Sequence, residues 1–330
     1  MKLTPILALA ASAILAHALS PQTLSAQTGE FVADPMPTRS AHASTIVALP
    51  AGDLMAAWFG GTDEGNPDVA IWAARRQAGK WLPPVELVRE PRTPTWNPVL
   101  FHSGDGLLWM YYKFGPSPQQ WTAGRMFSRD EGRTWSKPEH LPAGISGPIR
   151  AKPLVLPNGV IVSGTSVESY HSWAAWVERS LDFGKTWSRS GPIVPPAGGI
   201  IQPSVVQVTG KHLRFYARSD EAARICVSDS LDEGVTWSPA RLTDLPNPNS
   251  GIDTLHMKDG RYAMVYNHTP RGRTPLNLAV SDDGDRWTPW KTLETDPGEY
   301  SYPAMIQAED GALHITYTWR RLKIKHVEIK

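Results

Sequence analysis

The sequence predicts an all-β chain folded as a six-bladed β-propeller, and three observations carry that expectation. The first is a turn pattern, Ser-x-Asp-x-Gly-x-Thr-Trp, at Ser128 to Trp135, Ser180 to Trp187 and Ser230 to Trp237. A shortened copy runs from Ser281 to Trp287, and an eroded one is Ala78-Gly79-Lys80-Trp81. The tryptophans fall at 81, 135, 187, 237 and 287, so one unit takes about fifty residues, a period typical of propellers and repeat arrays. The second observation is a glycine turn in every unit, at Gly52, Gly106, Gly159, Gly210, Gly260 and Gly311. The third is that no long stretch carries a helical period, while short aliphatic and aromatic runs flank each glycine turn.

Each unit then reads as four strands. The glycine turn joins the two inner ones, as in Thr45 to Leu49 with Leu54 to Phe59, Ser204 to Val208 with Leu213 to Arg218, and Ala304 to Gln307 with Leu313 to Trp319. The Asp turn joins the two outer ones. Six such units fill residues 27–330 as one domain, and radial closure protects their sheet edges. After Trp319 there is room for one more strand, around Ile324 to Ile329. The missing outer strand of that last unit is expected from the N-terminal segment near Phe31-Val32.

The aspartates Asp130, Asp182, Asp232 and Asp283 read as structural. An Asp in a tight turn accepts backbone N–H groups two or three residues on, its glycine takes the positive φ, and the tryptophan packs beneath. One carboxylate per turn makes a poor metal site. The histidines show no ligand spacing and the single cysteine, Cys226, lies in an apolar strand run, so neither a metal nor another cofactor is expected. A net charge of +1 with 20% charged residues, in no run of one sign, argues against nucleic-acid or bulk membrane binding. A monomer is expected.

Residues 1–26 read as a signal peptide. Lys2 precedes an apolar run from about Ile6 to Leu19, and small residues suited to cleavage stand at Ala16-His17-Ala18 and Ser25-Ala26. The run is too short for a confident membrane span, which needs about twenty apolar residues. The expected location is periplasmic or secreted, with no stable membrane insertion.

In a propeller the first strand of each blade lines the central channel, and one mouth gathers a residue from every blade. Counting back from each glycine turn gives His42; Trp96 and Asn97; Arg150 and Lys152; Gln202; Ile252 and Asp253; Tyr300 and Tyr302. Tyr300 and Tyr302 differ by two and so are expected on one strand face. Loops after the second strands add Asp63, Glu64, Asp68, Lys113, Glu168, Arg218, Asp220, Asn267, His268, Arg271 and Arg273. Arginines converging there imply an anionic ligand, with a carboxylate gripped by a guanidinium fork. Trp72, Trp96 and Trp121 would suit a sugar ring.

On these residues the chain resembles the sialidase superfamily, the neuraminidase-like proteins whose repeats are called Asp-boxes, and the resemblance covers all six repeats. It implies a propeller of the sialidase type and an exo-acting glycosidase that releases a terminal acidic sugar, sialic acid or a relative, from a glycan. Gln202-Pro-Ser-Val-Val to Arg218 is similar to the segment from the catalytic Glu to the second arginine of the carboxylate-binding triad. Arg273-Thr-Pro-Leu-Asn277-Leu is similar to the segment of the third arginine, and Tyr300-Ser301-Tyr302-Pro303 to that of the nucleophilic tyrosine. Phe59-Gly60-Gly61-Thr62-Asp63-Glu64-Gly65 stands where the family carries its acid/base Asp, so Asp63, Glu64 or Asp68 is the implied proton donor. Asn97, Lys152, Asp253 and Arg271 join Arg218 and Arg273 as expected substrate contacts.

Two positions depart from the family. The first triad arginine falls on His42, and the Glu that would take the tyrosine's proton falls on Gln202. A tyrosine nucleophile still needs a base, which leaves His42 or Glu299 as substitutes. A His, Tyr and Arg set also fits β-elimination on a uronate glycan, making a polysaccharide lyase the alternative. A non-catalytic propeller that binds acidic glycans is the third reading.

Overall fold

The computed structural model describes residues 28–330, and the expected signal peptide lies outside them. These residues form six sheets, five of four strands and one of five, each antiparallel throughout. The first strands are Ser40–Ala48, Thr95–His102, Leu154–Val155, Ile200–Thr209, Asp253–His256 and Tyr300–Gln307. The second strands are Leu54–Gly61, Leu108–Phe114, Ile161–Glu168, His212–Ser219, Tyr262–Tyr266 and Leu313–Trp319. The chain is a six-bladed propeller of the sialidase type. Hydrophobic cores fill the spaces between neighbouring blades, as where Val162 and Val177 of blade 3 meet Val205 and Phe215 of blade 4. Burying one such side chain stabilises the fold by about 1.5–3 kcal/mol.

The ring closes through its N-terminus. Thr28–Phe31 pairs antiparallel with Lys323–Ile329 and completes blade 6, with Gly29 opposite Val327 and Phe31 opposite Lys325. Val32 is fully buried just beyond it. Glu30 reaches Arg76 of blade 1 at 2.8 Å and His326 at 3.1 Å, so one carboxylate ties three segments together.

The Asp turns join third to fourth strands and carry a common network. Asp130 accepts the Thr134 backbone N–H at 2.8 Å and its hydroxyl at 2.6 Å, while Ser128 Oγ donates to Asp130 and accepts the Gly132 N–H. The same bonds recur at Asp182 and Asp232. The turn glycine also faces the preceding blade. A Cβ on Gly132 would stand 2.7 Å from Met55 Sδ and one on Gly284 2.8 Å from Tyr216 Oη, and both glycines have positive φ. Tyr111 and Tyr216 hydrogen-bond the carbonyls of Gly184 and Gly284 in the next blade's turn. The repeat is therefore a bolt between blades as well as a hairpin.

Removing residues 27–34 should lower Tm by roughly 5 °C or more, since the strand, Val32 and the Glu30 pairs are lost together. An unchanged melting curve would show that closure does not depend on this strand. The Thr134 hydroxyl and N–H hold the Asp130 carboxyl at about 2, below its ordinary 3.8. That stabilisation is complete above pH 3.8 and disappears as pH falls through 2. Between pH 5 and pH 2 the melting temperature of Asp130→Asn should therefore fall less than that of the parent protein, as followed by calorimetry.

Candidate active site

Four of the six first strands carry the same distortion at one mouth of the channel. The pairing register with the second strand shifts between His42 and Thr45, Trp96 and Val99, Ile201 and Ser204, and Ser301 and Ala304. Inside each shift sits a non-glycine residue with positive φ: Ala43 at 53°, Asn97 at 28°, Gln202 at 58° and Tyr302 at 52°. Three of the four precede a proline, Pro98, Pro203 and Pro303, which has no N–H to leave unpaired in a bulge. Such bulges re-aim side chains beside functional sites, and each left-handed residue costs about 1–3 kcal/mol.

The centre of the mouth is Tyr302. Arg218 Nη1 donates to its phenolic oxygen at 2.8 Å and to Gln202 Oε1 at 3.3 Å. The guanidinium carbons of Arg218, Arg150 and Arg273 lie 5.6, 5.7 and 5.8 Å from the Tyr302 ring centroid. The His42 ring stands 4.3 Å from the same ring, centroid to centroid. His42 Nδ1 is bonded to Thr318 Oγ1 at 2.9 Å, while Nε2 is buried without a partner. Burial, then the positive charges of Arg321, Arg273, Arg218 and Arg150, push the His42 pKa well below its usual 6.5, so the ring is neutral at pH 7.

Arg273 pairs with Glu299 Oε1 at 2.7 Å, and that oxygen also accepts Arg321 Nε at 2.6 Å and Ser301 Oγ at 3.0 Å. Burial works against the Glu299 charge, but the two guanidiniums outweigh it and hold the carboxyl below its ordinary value. Arg321 also grips Glu64 from the loop after the second strand of blade 1. Asn267 anchors this side by donating to the carbonyls of Arg273, Pro275 and Tyr300. Lys113, fully buried, donates to the Pro148 carbonyl at 2.7 Å and so fixes the approach to Arg150. Burial drops its pKa to about 7.

His42, Gln202, Arg218, Arg273 and Tyr302 are thus brought together. Asn97 is buried at its bulge on the same mouth. Other expected residues stand elsewhere. Tyr300 belongs to the core between blades 5 and 6 and not to the channel, because the bulge after Ser301 breaks the two-residue alternation that would have placed it beside Tyr302. Lys152 and Asp253 pair at 3.1 Å deeper in the channel, and Asp253 is further held by Ser204 Oγ and the Met305 N–H. Both line a cavity of about 480 Å³ whose other walls, His102, Gln207, His256 and Gln307, come from the far strand ends. Arg150 donates to the carbonyls of Pro303 and Ile252. Arg271 is exposed on a loop, its hydrogen bonds with Thr269 made through its backbone.

Two of the three loop acids are committed to holding their own turn. Asp68 accepts the Thr62 N–H and hydroxyl at 2.8 and 2.7 Å, which lowers its pKa, and Asp63 accepts the Glu64 N–H. Of the tryptophans, Trp96 is buried, with Nε1 on the Gly115 carbonyl, and Gly65 lies over its ring. Trp72 is half-buried, its Nε1 on the Gly60 carbonyl, and Trp121 stands edge-on to Trp96.

Two further side chains stand in the site, Arg321, which the sequence reading did not place there, and Glu168, which it placed at the mouth without a role. Arg321 comes from a tight turn in which Arg320 and Arg321 both adopt positive φ, and no repeat marks that turn in the sequence. Glu168, the last residue of the second strand of blade 3, is buried near Arg218 and Glu64. The Pro that follows Asn97, Gln202 and Tyr302 was the available sequence signal for the bulges.

A ring of strand starts around a tyrosine and clustered arginines thus stands at one mouth of a propeller of the sialidase type. Residues 52–315 match the BNR repeat-like domain, and the chain belongs to that family. A sialidase of Bacteroides fragilis (strain YCH46) is 25% identical over 226 residues, 62% of this chain. The match takes in 40% of that relative's length. Among solved structures, the Hadza microbial sialidase Hz136 superposes with a TM-score of 0.76 at 18% identity, over 92% of this chain and 68% of its own. A protein of unknown function from Dyadobacter fermentans DSM 18053 gives 0.77 at 16% identity, over 93% and 98%. The intramolecular trans-sialidase of Ruminococcus gnavus gives 0.72 at 13%, over 91% and 96%. Among the described residues, no helix is long and apolar enough to cross a membrane.

The neutral state of His42 is directly testable. Its ring ¹⁵N resonances should keep neutral-imidazole shifts as pH falls from about 7 to about 5, where an unperturbed His charges. A midpoint near 6.5 would show that neither burial nor the arginine cluster shifts it.

Proposed function

We propose that this chain is an exo-acting glycosidase of the sialidase type that releases a terminal acidic sugar, sialic acid or a related one, from glycans. The observation that carries the reading is the convergence of Arg150, Arg218 and Arg273 on Tyr302, with Arg218 bonded to the phenolic oxygen. With Arg321, four guanidiniums face two ion-paired carboxylates, Glu64 and Glu299. That leaves a positive surplus suited to an anionic ligand. Arg218 and Arg273 bind the sugar carboxylate, which competes with Glu299 for Arg273. The Tyr302 oxygen, already oriented by Arg218, attacks the anomeric carbon.

A second reading has its own support. Gln202 supplies no carboxylate, and His42 presents a buried, unpartnered Nε2 against Tyr302. In the tautomer whose Nδ1–H donates to Thr318, that nitrogen is a base. His42 and Tyr302 would then suit proton abstraction and return in β-elimination on a uronate glycan, with arginine neutralising the carboxylate.

One panel of sialosides and uronate oligosaccharides, followed by ultraviolet absorbance and by new reducing ends, separates these. Reducing ends without absorbance are expected; an absorbing unsaturated product would move the assignment to a lyase. Binding without turnover across the panel would make the propeller a glycan-binding module. Arg273→Ala and Tyr302→Phe should each lower kcat/KM by roughly 1,000-fold. Parent rates in both variants would remove this site from consideration.

A further inference from the structure

We propose that Glu168 is the proton donor of this site, delivering its carboxyl proton to the oxygen that leaves the substrate. The inference rests on the glycosidase reading and moves the acid from the blade 1 loop to blade 3.

The placement follows from strand geometry. Glu168 ends the second strand of blade 3, opposite Trp173 on the third strand. Ser166, two residues earlier and so on the same face, accepts the Gln202 backbone N–H at 3.3 Å. Glu168 therefore lies on the face turned to the start of blade 4, where Gln202 and Arg218 stand. Arg218 packs on the partner side, its guanidinium carbon 6.0 Å from the Trp173 ring.

The second observation is an unmet pair. Glu168 is 7% exposed, and its Oε1 is buried without a hydrogen-bond partner among the described residues. Arg218 Nε, equally buried, has none either. Buried polar atoms are almost always paired, so two unpaired ones side by side at the mouth call for an explanation, and a ligand group received there supplies one.

The remaining acids of the mouth are engaged. Asp63 and Asp68 hold their loop, Glu64 is gripped by Arg321, and Glu299 by Arg273 and Arg321. Burial raises the Glu168 pKa; Arg218 opposes this and Glu64 adds to it. A carboxyl kept protonated toward neutral pH beside ionised ones is the arrangement that divides acid from base.

In the step itself, the bond from the anomeric carbon to the leaving oxygen breaks, its electron pair stays on oxygen and takes the Glu168 proton, and Glu168 is left as the carboxylate. Tyr302 Oη forms the new bond to that carbon, its own proton passing to His42 Nε2. Water then attacks the same carbon and gives a proton to Glu168, while His42 returns its proton to the departing Tyr302 oxygen.

The test compares two leaving groups on the same sugar, an aryl glycoside whose phenol needs little protonation and an alkyl-linked glycan whose alcohol needs it. Glu168→Gln should lower kcat/KM on the alkyl linkage by roughly 100-fold or more, and on the aryl glycoside by less than about 10-fold. Equal losses, or none, overturn the proposal while leaving the glycosidase reading intact. No hydrolysis of either by the parent protein overturns both. Should that variant not fold, Glu168→Asp, which keeps a carboxyl on a shorter side chain, should slow the alkyl linkage more than the aryl glycoside, and equal losses on the two would overturn the proposal.

Discussion

Closure of the ring is the constraint on which everything else rests. A propeller presents its channel mouth only if the first and last blades are locked together, and here the lock is a four-residue strand, Thr28–Phe31, on Lys323–Ile329. The consequence is visible at the site. Ala43 N–H and His42 Nδ1 both bond Thr318 Oγ1, joining the second residue group of blade 1 to the last blade. Ser44 and Thr316 repeat the link one step deeper at 3.1 Å. His42 is set against Tyr302 by the same contact that seals the fold, so loosening the seam disturbs the chemistry before it unfolds the protein.

Within that ring, the mouth is built from strained backbone. Left-handed Ala43, Asn97, Gln202 and Tyr302 sit in equivalent bulges and are held there by their surroundings. Tyr302 is the clearest case. Arg218 holds its hydroxyl from one side, and Arg150, buried below, donates to the carbonyl of the next residue, Pro303. A buried guanidinium bonded only to carbonyls would be costly as a structural device alone, and burial lowers its pKa despite the attraction of Asp253. Its place under an aromatic ring that must accept negative charge in any nucleophilic role gives that cost a purpose.

The blades were legible because a hairpin has local requirements. A turn glycine with positive φ and an Asp that accepts its own turn's N–H groups must recur wherever the hairpin does, and so Gly52 to Gly311 and Asp130 to Asp283 mark the period. The mouth was legible as far as counting holds. His42, Gln202 and Tyr302 stand eight to ten residues before their glycine turns and Arg218 eight after its own, so counting brings them to one mouth, where the loop residue Arg273 joins them. Counting fails where a bulge inserts a residue, since side-chain direction has a period of two. Tyr300 was misplaced for that reason. Lys152 and Asp253 precede or open very short first strands, Leu154–Val155 and Asp253–His256, whose offset differs from that of the long ones. Glu168 was reached by position, at the end of its second strand, but Arg321 enters from a turn that no repeat encodes.

The proton inventory then narrows the chemistry. Position 202 carries an amide, so the tyrosine has no carboxylate base there, and Glu299 is bound by two arginines that favour its charge but occupy its oxygen. His42 keeps an open basic atom among the described residues, and burial, with the arginines adding to it, lowers its pKa, which makes it a weaker base while keeping it unprotonated. A weak base suffices if the phenol it serves loses its proton only as the new bond forms, with Arg218 already bonded to the oxygen. The same four guanidiniums thus do two things at once. On the proposed reading they attract an anionic sugar and, together with burial, keep the neighbouring histidine unprotonated at neutral pH. On that reading an amide at position 202 leaves the acid–base work to His42 and Glu168, without adding a charge to the centre of the mouth.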